Sequence, residues 1–216
     1  MSRVGAILRD LIFPRRCVLC HRLLERNEPR LCPRCAASVG APFSGARRGA
    51  YYRRWASALR YEDVVRDSFR RYKFGGCRFY AQYYGPLLAN AVEQQLGLRY
   101  DLMTYIPINA LRLRRRGFDQ TRLLAQEAGE QLGMVPVSTL KKRRRKPQSR
   151  VVNAEERQRN IRGAFLVTNP ASVQGKRILL IDDVLTTGAT VSEASRVLLA
   201  AGAKSVDVAT LAAAVS

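Results

Sequence analysis

The chain has 216 residues, 47% of them hydrophobic, and carries 38 lysines and arginines against 17 aspartates and glutamates, a formal charge of +21 at pH 7. That apolar content is ordinary for a globular protein and calls for a sizeable core, enough for one α/β domain plus a small appendage. The excess charge attracts polyanions, whether nucleic acid, pyrophosphate-bearing nucleotides or an anionic membrane surface, while no apolar run approaches the roughly 20 residues of a membrane span.

In chain order, Val4, Ile7, Leu8, Leu11 and Ile12 mark one face of a predicted short helix. Arg9 and Asp10 interrupt it, so it lacks the unbroken apolar stretch of about 7–15 residues of a signal peptide, and the cytoplasm is the expected location. Next come two pairs, Cys17-Val18-Leu19-Cys20 and Cys32-Pro33-Arg34-Cys35, eleven residues apart with Asn27-Glu28-Pro29 as a hairpin turn between them. Two such knuckles predict a tetrahedral, all-thiolate Zn²⁺ site at Cys17, Cys20, Cys32 and Cys35. Disulfides are the rival, but nothing marks an oxidising compartment. Four protein ligands leave no open position, so the metal is expected to stabilise the fold rather than do chemistry. His21 is expected to be a bystander, and Cys77 a small packed residue.

Residues 1–48 are therefore read as a helix and zinc-ribbon module and 49–216 as an α/β domain, with a linker over 40–50 that holds Pro42, Gly45 and Gly49. Within the larger part we expect a strand over 55–61, a helix over 62–74 ended by Gly75-Gly76, and a helix over 79–96. A strand over 102–106 is broken by Pro107, and a helix follows over 120–132. Further strands are predicted over 165–167, 178–181 and 206–211, with a helix over 191–201 that stops at Gly202. Strands alternating with helices argue for a parallel sheet.

The stretch Arg-Ile-Leu-Leu-Ile-Asp-Asp-Val-Leu-Thr-Thr-Gly-Ala-Thr over 177–190 carries most of the chemistry. The apolar run is expected to stop at Asp182 and Asp183, placing both acids at the carboxyl end of a strand. Thr186, Thr187, Gly188, Ala189 and Thr190 then open a helix whose free N–H groups and dipole suit a phosphate. Carboxylates accept protons from neighbouring hydroxyls. A ribose 5-phosphate offers both features. Elsewhere, Lys141-Lys142-Arg143-Arg144-Arg145-Lys146 is a basic run that often signifies only a solvated loop. Tyr51-Tyr52-Arg53-Arg54-Trp55 and Phe79-Tyr80 interleave aromatics with cations as single-strand platforms do, with core packing explaining at least half of those aromatics.

The paired acids followed by Thr-Thr-Gly-x-Thr resemble the phosphoribosyl-pyrophosphate (PRPP) motif of type I phosphoribosyltransferases. That resemblance implies that Asp182 and Asp183 hold the ribose 2- and 3-hydroxyls and that 186–190 wrap the 5-phosphate. The series Ile106-Pro107-Ile108-Asn109, Arg112, Arg114, Arg115, Arg116-Gly117-Phe118-Asp119-Gln120 sits where those enzymes carry a pyrophosphate loop. Together with Gln148, Arg157, Asn160, Gly163-Ala164-Phe165 and the cysteine knuckles, it resembles the ComF family along essentially the whole chain. In that family Arg-Gly-Phe usually continues Asn-Gln; Asp119 stands here instead. The implied fold is a type I phosphoribosyltransferase-like parallel sheet flanked by helices, with a small N-terminal zinc ribbon.

The implied ligands are PRPP or a ribose phosphate with Mg²⁺, Arg112 and Arg116 gripping pyrophosphate through guanidinium forks. Arg114 and Arg115 are expected to be solvated charges. The basic segment over 141–160 falls where the family's mobile catalytic loop belongs, so Arg157 would close over the leaving group beside Asp182 and Asp183. An acid often replaces Thr186 in the enzymes acting on purine bases, where it serves as general base, a task a threonine does not perform at neutral pH. No amidotransferase nucleophile is expected either, the sequence opening Met1-Ser2. The resemblance therefore implies a protein assisting single-stranded DNA uptake or handling in natural competence, alongside DNA-uptake proteins. The alternative is an active PRPP-dependent transferase acting on an unidentified base or amine.

Overall fold

A computed structural model describes residues 14–25, 27–45, 51–97, 99–143 and 161–214. The predicted helix over 4–12, the later half of the predicted linker, Arg157 and most of the basic segment lie outside the described residues.

Four strands run parallel in the spatial order β2 (Trp55–Arg60), β7 (Ser205–Ala213), β6 (Arg177–Leu185) and β3 (Leu102–Tyr105). A short β1 (Phe43–Ser44), inside the predicted linker, adds antiparallel to the free edge of β2. Side chains alternate across a strand, and along β6 the alternation divides the molecule. Leu179 and Ile181 enter one core, Ile178 and Leu180 the other. Burial on both faces explains the continuous apolar run of a central parallel strand.

The first core is built from α2 (Asp63–Phe74), α3 (Ala81–Gln95) and α5 (Gln120–Leu132), through Phe69, Tyr72, Tyr84, Leu88, Leu124 and Ala128. Val18, Leu19 and Leu31 of the cysteine module join it, and Ser68 Oγ and Arg71 Nη2 donate to the Val18 and Leu19 carbonyls. An antiparallel bridge between Arg16 and Leu23 is the strand-like pairing of this ribbon, and α1 (Pro33–Ser38) starts at its second knuckle. The other face is covered by α6 (Ala189–Ala200), with Val191, Ala194 and Leu198 buried. Among the described residues no helix is long and apolar enough to cross a membrane.

Two expectations need correction. The strand at Phe165–Val167 does not join the parallel sheet; as β5 it pairs antiparallel with β4 (Leu140–Lys142) in a sheet of its own. Only Phe165 of its three residues is buried, while Leu166 is exposed, and a one-sided strand suits a surface antiparallel pair better than a sheet centre. Nor does β6 stop at the acids. β7 continues beside it through Val184↔Ala212 and Leu185↔Ala213, so the ladder carries the strand past Asp182 and Asp183. β3, in contrast, ends with Tyr105 opposite Ile181.

Helices α3 and α5 approach closely at Gly85, where a Cβ would collide with Glu127 Cβ and lie 2.8 Å from the Ala128 backbone nitrogen. Gly85→Ala therefore forces the helices apart and is expected to cost about 1–3 kcal/mol, despite alanine's better helix propensity. Thermal unfolding checks this: a Tm lower by several degrees is expected, and an unchanged or raised Tm would contradict the close approach.

Candidate functional site

Because β3 stops at Tyr105, β6 loses one neighbour just before its paired acids. Both Asp182 and Asp183 are 8% exposed. Such buried carboxylates need partners, and helices supply them. Lys73 Nζ, near the end of α2, lies 2.8 Å from Asp183 Oδ2, and Gln120 Nε2, at the start of α5, donates to the same oxygen at 3.1 Å. Asp182 Oδ1 accepts the Asp183 backbone N–H at 2.8 Å. Burial, and then the Asp183 charge, push the Asp182 carboxyl well above the usual carboxylate range, with Lys73 and Lys142 opposing the shift. Lys142 of β4 sits 5.4 Å over the Phe165 ring. Burial pulls its pKa down and the Arg112 charge adds to this, while both acids hold it up. The run over 141–146 is thus no mere solvated loop where it begins.

After β6, Thr186 and Thr187 are exposed and Gly188 takes φ +76°, a conformation glycine adopts without steric cost. That turn starts the 12-residue α6 with a glycine, which has no side chain to cap it, and the Ala189 N–H donates to Thr187 Oγ1 at 3.4 Å. Ala189 and Thr190 stand in its first turn, half-buried. The predicted phosphate residues therefore gather at the carboxyl end of β6, beside the acids.

The arginines come from α4 (Ala110–Arg116), a short helix absent from our expectation. Asn109 Oδ1 caps it by accepting the Arg112 N–H at 2.8 Å, and Gly117 ends it in the left-handed region. Asp119 has a structural part: its carboxylate accepts the backbone N–H groups of Thr121 and Arg122 at 3.0 and 3.1 Å, capping α5, as an asparagine there would also do. Between α2 and α4 opens a cavity of about 1170 Å³, lined by Lys73, Arg70, Arg112, Arg115 and Arg116 with Phe74 and Phe118 among its apolar walls. Arg116 lies 4.6 Å over the Phe74 ring, which is 72% exposed. Burial and the neighbouring Arg112 lower its pKa, whereas Asp183 raises it. Arg112 and Arg116 thus share a cavity with Lys73, the partner of Asp183; Arg157 lies outside the described residues.

The proposed aromatic platforms divide. Tyr52, Trp55 and Tyr80 are core residues, whereas Tyr51 and Phe79 are exposed. Sequence reasoning missed Lys73, Gln120 and Lys142 as partners of the acids. Lys73 ends a helix before Gly75-Gly76, but only the fold reveals that this end meets β6.

The sulfurs of Cys17, Cys20, Cys32 and Cys35 all lie within 4.8 Å of one another. Cys20 and Cys32 sulfurs are 3.7 Å apart, against about 2.05 Å in a disulfide and an edge of about 3.8 Å for a tetrahedron with metal–sulfur bonds of about 2.3 Å. All are free thiols, three of them buried. The Cys32 N–H points to Cys17 Sγ at 3.5 Å. Hydrogen bonding, first from the Cys35 backbone, lowers the Cys32 thiol to about 6. The group is fit to hold a thiophilic metal ion. Cys77 donates to the Gly75 carbonyl at 3.4 Å and packs half-buried.

Residues 113–216 match the model of the phosphoribosyl transferase domain family. The DNA utilization protein YhgH of Salmonella typhi is 31% identical over 201 residues, covering 89% of this chain and 87% of that protein. Competence protein ComFC of Streptococcus pneumoniae is 30% identical over 146 residues, covering 68% and 62%, and that of Bacillus subtilis 26% over 197, covering 86% and 78%. With the cysteine cluster ahead of a mostly parallel sheet flanked by helices, the chain belongs to the ComF-like family that includes YhgH and ComFC, a cysteine module followed by a phosphoribosyltransferase-type domain.

Proposed function

We propose that this protein handles single-stranded DNA, in the manner that the names of its DNA-utilization and competence relatives suggest, and that it does so with a pocket for PRPP or another ribose phosphate. The observation that carries the pocket is the half-freed end of β6, where two buried acids stand shortly before the glycine-led start of α6. Asp182 and Asp183 would accept the ribose 2- and 3-hydroxyls. The amides and hydroxyls over 186–190 would hold the 5-phosphate. Arg112 and Arg116, beside Lys73, would meet a pyrophosphate group in the basic cavity. The acid pair offers the hard oxygen donors that suit Mg²⁺, which would neutralise pyrophosphate and tie it to the sugar. In this reading Lys73 is the partner that offsets the cost of burying the Asp183 carboxylate. Arg157 would close over the pyrophosphate. The cysteine cluster would hold structural Zn²⁺ and brace α2 at Ser68 and Arg71, just before Lys73. Binding is the reading favoured over turnover because Thr186, three positions after Asp183, is an exposed threonine, a poor base.

Three outcomes are expected. Asp183→Asn should weaken Mg²⁺–PRPP binding roughly 10- to 100-fold in calorimetry, the worth of hydrogen bonds to a charged acceptor; an unaltered titration would remove the sugar role. The second concerns protons. The Asp182 carboxyl is raised in the folded protein from its ordinary value of 3.8 to about 8, so its contribution to stability is full below the lower value and is lost as pH rises through the higher one. A ligand that needs the ionised carboxylate therefore binds more tightly as pH climbs across that window, and it ejects a proton. Binding heats measured in two buffers of different ionisation enthalpy should differ in the sense of proton release, and equal heats would count against it. Third, the purified protein should carry about one zinc per chain. Stripping it with a strong chelator should lower Tm by roughly 10 °C or more; a metal-free protein with unaltered Tm would refute the structural metal.

A further inference from the structure

At the opposite end of the sheet, the amino ends of its parallel strands gather four arginines around a cavity of about 570 Å³. Arg53 and Arg54 precede β2, Arg99 precedes β3, and Arg177 begins β6. Arg53 and Arg54 are anchored by Asp207 of β7, whose side chain is 0% exposed. Its carboxylate accepts Arg53 Nε and Nη2 at 3.1 and 2.9 Å, Arg54 Nε and Nη2 at 3.2 and 2.6 Å, and the Tyr100 hydroxyl at 2.8 Å. Arg54 Nη2 also donates to the Leu96 carbonyl. Arg177 is held bidentate by Asp101, at 2.9 and 2.8 Å. Arg99 is exposed and has no ion pair among the described residues.

Four guanidiniums thus face one cavity against two carboxylates, and one of those is sealed behind them. Arg53 and Arg177 are close enough to repel. The buried Asp207 carboxylate fixes two guanidinium planes while the Arg53 and Arg54 side chains stay 57% and 46% exposed. It fixes the planes in advance, so that outward N–H groups meet an anion without first losing rotamer freedom. Planar, forked donors match phosphate oxygens. This amino-end cavity shares no lining residue with the basic cavity of Lys73, Arg112 and Arg116, and lies at the other end of the strands from the acid–threonine corner.

We propose that the Arg53–Arg54–Arg99–Arg177 cavity is a second binding site, for a phosphate group carried either on a single nucleic-acid strand or on a small phosphate compound. The strand rests on the DNA-handling reading above; the site does not. It gives the protein phosphate contacts at both ends of one sheet, joined by β6.

The test uses the full chain with three probes: a labelled oligothymidylate, inorganic pyrophosphate and Mg²⁺–PRPP. Arg99→Glu alters an exposed group and Arg177→Gln a half-buried one paired with Asp101, and Arg66→Glu on α2, outside both cavities, controls for net charge. Arg99→Glu is expected to weaken oligothymidylate binding roughly threefold to tenfold and to reduce the slope of log affinity against log salt by about 0.7 per lost phosphate contact. Arg177→Gln should act in the same direction, Arg66→Glu by less than about twofold, and PRPP binding should not move. Phenylglyoxal modification read by mass spectrometry locates the ligand. Protection of Arg99 by the oligonucleotide assigns the site to a strand, and protection by pyrophosphate alone assigns it to a small phosphate compound. If neither protects Arg99 and neither variant differs from Arg66→Glu, the proposal is overturned. Failure of PRPP to bind wild-type protein would strike the sugar-phosphate pocket and leave this site to be judged by its own probes.

Discussion

The mismatch in length between β3 and β6 is the constraint on which the candidate site depends. β3 ends at Tyr105, β6 runs to Leu185, and the surplus exposes one edge of a strand that is otherwise sealed on every side. A buried central strand has no use for two carboxylates. Where its neighbour ends, the same carboxylates can face a ligand while the β7 ladder holds their backbone. Their cost is that of desolvated charge, and the surroundings offset it with Lys73, Lys142 and Gln120 from three separate elements. Removing one partner of such a buried pair typically costs about 3–5 kcal/mol, so the placement of α2 and the chemistry of the corner are coupled.

That coupling extends to the cysteine module. Its knuckle carbonyls at Val18 and Leu19 accept from Ser68 and Arg71 of α2, and Lys73 lies just beyond Arg71 on the same helix. A metal held by the four sulfurs would therefore act at a distance on Asp183 through one rigid helix. The module is part of the core rather than a tether, since Cys17, Val18 and Cys32 pack with Tyr84 and Leu88.

Much of this was legible in the sequence for physical reasons. The apolar run before Asp182 had to be a central strand, because only burial on both faces tolerates such a run of apolar residues together. The cysteine spacing declared its cluster, and Thr-Thr-Gly declared a turn into a helix. What stayed hidden depended on partners distant in the chain. Gln120 is separated from Asp183 by 63 positions and Lys73 by still more, and nothing in their local patterns marks them. A charged residue ordinarily ends a buried strand, which is why the sequence pattern stops β6 short, whereas in the fold β7 carries it on. Composition misled in the opposite way over the Tyr51–Trp55 stretch: its cations looked free, yet Arg53 and Arg54 are both bound to Asp207, a residue embedded in an apolar strand.

The most direct test is a crystal structure of the protein with Mg²⁺ and PRPP. The account predicts ribose hydroxyls within hydrogen-bonding distance of the Asp182 and Asp183 carboxylates, and the 5-phosphate on the amides that open α6. Density for the sugar anywhere else, or a corner still filled by Lys73 with no space for a pentose, would contradict it.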